Sequence, residues 1–139
     1  MKKSVVILIA IIYLAAIFVV GILGTKITAF NVMVYITDIE CTNKGVVDMG
    51  NNHKRLVFDY NPDATDVLEN ALFIDYKVYP SDSSLRGSDA VEVVVEDNDN
   101  LFTHNGVTFT FHNAPGFVTV QLKSLDGSNV IEYVEIIVI

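Results

Sequence analysis

Residues 107–138 read VTFTFHNAPGFVTVQLKSLDGSNVIEYVEIIV. Val107–Phe111 alternates β-branched and aromatic residues, Asn113-Ala114-Pro115-Gly116 makes a turn, and Phe117–Leu122 runs back. Asp126-Gly127 turns again before Val130–Val138. Alternation at a period of two between Gly, Pro, Asn and Asp clusters is the mark of antiparallel hairpins.

The same texture extends upstream. Ile27–Ile39 is a first apolar run, Asn43-Lys44-Gly45 and Gly50-Asn51-Asn52 bracket a loop, and Arg55–Tyr60 places Leu56, Phe58 and Tyr60 on one face. Pro62 ends that strand because it lacks the amide a ladder needs. A short helical turn is expected over 64–70, strands over Ala71–Tyr79 and Ala90–Glu96, and a loop at Asp97-Asn98-Asp99-Asn100. About seven short strands in such a length predict an all-β fold, an immunoglobulin-like β-sandwich with two sheets around one core. Its expected interior is Leu56, Phe58, Phe73, Tyr76, Val78, Val93, Val95, Phe109, Val118, Val120, Leu122, Val134 and Ile136. Glu92, Glu96, Glu132 and Glu135 alternate with apolar residues as on a wet sheet face.

The chain's start is different. Residues 4–23, SVVILIAIIYLAAIFVVGIL, carry no charge, and twenty residues at about 1.5 Å each cross a hydrocarbon core of roughly 30 Å. Val5, Ile9, Ile12, Leu14, Phe18 and Leu23 are the expected lipid-facing anchor. Lys2 and Lys3 precede the run, so the positive-inside rule puts the N-terminus in the cytoplasm and the remainder outside, with a single pass. The run exceeds the roughly 7–15 residues of a signal peptide's apolar region, so a retained anchor is expected over a cleaved leader. The division is therefore residues 1–24, a cytoplasmic N-terminus and transmembrane helix, and 25–139, an extracytoplasmic domain close to the bilayer.

Of 139 residues, 9 are Lys or Arg and 17 are Asp or Glu. Setting aside Lys2 and Lys3 leaves seven basic residues against seventeen acidic ones, a net −10 for the exported part. That charge disfavours nucleic acid and keeps the surface soluble. A chain 51% hydrophobic is not disordered. The only cysteine, Cys41, has no partner for a disulfide and is expected to be buried.

Chemistry-bearing clusters are few. Glu96, Asp97 and Asp99 form a calcium candidate, because loop carboxylate and amide oxygens are what that ion takes; no other cofactor is expected. His53, His104 and His112 lack metal-ligand spacing. Neither a G-x-S-x-G elbow nor a phosphate-cradling glycine loop occurs, so no catalysis is expected. Tyr35, Tyr60, Tyr76, Tyr79 and Tyr133 are either strand residues or a binding platform. If the last strand lies at a sheet border, Tyr133, Glu135 and Ile137 would recruit a partner strand or a second copy.

Asn61-Pro62-Asp63-Ala64-Thr65, Tyr79-Pro80-Ser81-Asp82-Ser83-Ser84, Asn105-Gly106-Val107, Pro115-Gly116-Phe117-Val118-Thr119-Val120 and Asp126-Gly127-Ser128 resemble the bacterial group 2 Ig-like domain over about residues 54–138. The resemblance implies a surface-exposed sandwich used for adhesion, spacing or protein contacts. The plan of an apolar N-terminal helix feeding a β-sandwich is also similar to that of archaeal pilins, which implies a filament subunit whose helix forms the filament core.

Overall fold

The computed structural model describes residues 2–27 and 32–139, with the side chains of 23–27 excepted. The chain divides into two compact units, Met1–Val32 and Met33–Ile139.

In the first unit, Lys3–Ile27 forms helix α1. Its β-branched residues do not prevent this, because a helix closes its own backbone hydrogen bonds wherever water is scarce. The 20 residues Lys3–Ile22 are long and apolar enough to cross a membrane, and none of that span is buried. Val5, Ile9, Ile12, Leu14 and Phe18 are all exposed; the side chain of Leu23 lies outside the described residues. The strand expected over Ile27–Ile39 is corrected: Ile27 ends the helix, 28–31 lie outside the described residues, and among the described residues strand pairing begins at Asp38.

The second unit holds ten strands among the described residues. They are β1 (Asp38–Cys41), β2 (Val47–Gly50), β3 (His53–Phe58), β4 (Ala71–Phe73), β5 (Tyr76–Tyr79), β6 (Val91–Val95), β7 (Phe102–Asn105), β8 (Thr108–Phe111), β9 (Gly116–Ser124) and β10 (Ile131–Val138). They form a five-stranded sheet in the order β2-β3-β10-β9-β6, a three-stranded sheet β4-β8-β7, and the pair β1-β5. All pairings are antiparallel except β3 with β10.

The helical turn expected over 64–70 is a 3₁₀ turn at Val67–Asn70, capped by the Asp66 carboxylate, which accepts from the Leu68 amide. The loop expected between Gly45 and Gly50 contains β2, which pairs with β3 across a turn where Asn51 and Asn52 adopt positive φ.

The single strand expected over Ala71–Tyr79 breaks at Ile74-Asp75, and its halves join different sheets. Asn43 holds the break: its side-chain amide donates to the Phe73 carbonyl at 2.6 Å, and its side-chain oxygen accepts from the Asp75 amide at 2.8 Å. The break turns Ile74 fully inward and Phe73 outward, which corrects the placement of Phe73 in the core.

One cluster of buried residues draws on all three sheets, with Leu56, Val120, Leu122, Val134 and Ile136 from the large sheet, Phe102, Phe109 and Phe111 from the three-stranded sheet, and Ile39 and Cys41 from β1. Phe58 meets Phe111 with ring centroids 4.8 Å apart, and Phe102 meets Phe109 at 5.5 Å. The first contact ties the large sheet to the three-stranded one, and the second lies within the three-stranded sheet, between β7 and β8.

Candidate functional site

Strand β10 lies inside the five-stranded sheet, pairing with β3 from Tyr133↔His53 to Val138↔Phe58 and with β9 along its whole length. Its backbone amides are committed on both sides, so Tyr133, Glu135 and Ile137 offer no edge. That corrects the expectation of assembly through this strand's border. The borders of the sheet are β2 and β6.

These three side chains instead lie on the sheet's outer face. Tyr133 stacks on His53 with centroids 5.1 Å apart and planes 10° apart. Glu135 accepts from both Nε and Nη2 of Arg55, at 3.1 and 2.9 Å. Ile137 stands between its register partners Val57 and Phe117, which are 57% and 70% exposed. An apolar row thus crosses three strands on a face that also carries polar contacts at Arg55–Glu135 and the exposed Val47 and Val94 at its borders.

Glu96, Asp97 and Asp99 are exposed, and among the described residues no group of three or more His, Cys, Asp or Glu is placed to hold a metal ion. The amides of Leu101 and Phe102 both donate to the Asn98 carbonyl at 2.9 Å, fixing a tight turn. Glu96 and Asp97 face a cleft of about 360 Å³ shared with Phe102 and Phe117, whereas Asp99 does not line it. Asp97 Oδ1 lies 3.8 Å from His104 Nε2.

The histidines are dispersed: His53 stacks on Tyr133, His104 stacks on Phe109, and His112 Nε2 is 3.0 Å from the Thr103 hydroxyl. The tyrosines are dispersed too. Tyr60 donates to the His112 carbonyl, Tyr76 to the Gly87 carbonyl, and Tyr79 to Glu40. Cys41 is buried, and burial pushes its thiol up from the ordinary value.

Two carboxylates stand out that sequence reasoning did not single out as sites. Asp126 is buried and accepts from the backbone amides of Ile36 and Ser128. Burial alone would raise its carboxyl, but these donors outweigh it and hold the group below the ordinary range. Glu132, expected on the wet face, is 2% exposed and points to the core side of β10 with Val134, Ile136 and Val138. Period-two parity assigns it there, since the residues at 132, 134, 136 and 138 share one face. Desolvation raises its carboxyl against the opposing pull of Lys54, and its Oε1 makes no hydrogen bond.

No family model, curated protein or solved structure matches the chain.

Proposed function

We propose that this chain is a single-pass cell-envelope protein whose helix α1 is retained in the membrane and whose β unit is displayed outside as a non-catalytic immunoglobulin-like sandwich. The unit works through adhesion or assembly with protein partners. The observation that carries this reading is α1 itself, in which the 20-residue span Lys3–Ile22 leaves every residue's apolar surface uncovered. Lys2 and Lys3 set its orientation. The Ig-like reading is supported by short, mostly antiparallel strands sharing one core and by the motifs between residues 54 and 138.

Assembly runs through the outer face of the large sheet, where Val57, Ile137 and Phe117 form an apolar row, and not through the border of β10. Exposed apolar patches of this kind mark contact surfaces. The second reading, a filament subunit, draws on the same uncovered helix, which packs against helices of other copies as readily as against lipid.

The test is labelling of an Asp97→Cys variant in intact cells with a membrane-impermeant maleimide. Rapid labelling at this exposed loop agrees with export, and protection until lysis contradicts it. Mass spectrometry of the same preparation separates the two readings: an intact Lys3 fits the anchor, and its loss fits the filament subunit.

A further inference from the structure

A cleft of about 340 Å³ opens where β1, β2 and β3 meet the start of β10. Its walls carry Asp38, Glu40, Asp48 and Lys54, and Glu132 lies at its floor. Four carboxylates against one ammonium give it a formal charge of −3 with all groups ionised. Lys54 Nζ already rests on Asp48 Oδ2 at 2.8 Å. Glu132 is nine-tenths buried by a wide margin, and its Oε1 has no hydrogen-bond partner among the described residues. A buried carboxylate oxygen without a donor is unfavourable, so a donor entering the cleft would be stabilised there.

We propose that this cleft is a binding site for a primary ammonium group on an aliphatic chain. Three observations select that chemistry. The Lys54–Asp48 contact shows that the walls accept an ammonium at hydrogen-bond distance. The volume is far above the roughly 30 Å³ one water occupies in the liquid and leaves room for an ammonium head and the carbons next to it. Among the described residues no group of three or more His, Cys, Asp or Glu is placed to hold a metal ion. The incoming ammonium donates to Glu132 Oε1, and Asp38 at the rim adds attraction.

The source of the ammonium is either a free amine or a lysine side chain of a polypeptide. Detergent-solubilised full-length protein is titrated with n-butylammonium chloride and, in a second arm, with Nα-acetyl-lysine N-methylamide, following backbone amide shifts by NMR. Sodium chloride at equal ionic strength is the control. Saturable shifts at β1 and the β2–β3 turn are expected, with affinity at least about tenfold weaker in Glu132→Gln and unchanged in Asp97→Asn. Tighter binding in the first arm identifies a free amine, and tighter binding in the second a lysine side chain. Should Glu132→Gln fail to fold, Asp38→Asn decides, because that residue is exposed: weaker binding supports the site and equal binding overturns it. Shifts that do not saturate, that sodium chloride reproduces, or that persist undiminished in Glu132→Gln overturn the proposal.

Discussion

Two side chains with short-range jobs hold together segments far apart in sequence. Asn43 occupies the break between β4 and β5, where a strand partner would otherwise satisfy the Phe73 carbonyl and the Asp75 amide. Asn43→Ala leaves both without that partner and is expected to cost about 1–3 kcal/mol in urea unfolding. Asp126 joins the β9–β10 turn to Ile36 before β1. Because folding lowers its carboxyl, the stability it contributes is complete above its unfolded value of about 3.9 and is lost as pH falls through the folded one. Urea titrations between pH 5 and pH 3 are expected to show a shallower acid loss in Asp126→Asn.

Glu132 has the opposite sign. Desolvation raises its folded carboxyl against the pull of Lys54 on β3 and the Cys41 amide on β1, with Asp38 and Asp48 pushing the same way as desolvation. The unfolded chain therefore ionises first, and the penalty grows as pH rises from about 4.3 to the folded value. Glu132→Met should be neutral or stabilising at pH 7, by up to on the order of 1 kcal/mol, since an apolar residue of similar volume replaces a buried charge. Unfolding midpoints at pH 7 check this. The residue's inward position was legible from its parity with Val134 and Ile136. Its unpartnered oxygen and its cleft were not, because both depend on β1 and β2 crossing from distant sequence.

Among the elements, strands with strict alternation between turn residues were the legible ones: β3, β6, β8, β9 and β10 fall within about two residues of their expected bounds. Of the two hairpins expected, β9 pairs with β10 across Asp126-Gly127, but β8 and β9 join different sheets, since pairing also depends on contacts outside any local window. Strand β2 was hidden because Gly and Asn flank a stretch too short to alternate visibly. Strand β10 carries a chain-end sequence that reads like a border yet lies between β3 and β9. A proline there cannot supply a ladder amide. Ile136→Pro, which also opens a cavity at a fully buried site, is expected to abolish cooperative unfolding, as seen by circular dichroism. On the outer face, Phe117→Asp should leave the fold intact and weaken self-association or partner capture, read by crosslinking in membranes.

At the scale of the whole molecule, the division between an apolar helix and a β-rich unit was readable from residues 4–23, where charge is absent, and from the acidic remainder. The packing of three sheets around one core was not, because the break at Ile74-Asp75 sends one apparent strand into two of them. In the function proposed above, α1 keeps the β unit at the membrane. A charge at the centre of a spanning helix costs about 2.5–3.5 kcal/mol, so Leu14→Arg should reduce the membrane-bound fraction markedly, as immunoblots of fractionated cells would show. The most direct measurement is alkaline carbonate extraction of membranes carrying the full-length chain. The protein is predicted to stay in the pellet with integral membrane proteins, and its release into the supernatant would contradict the account.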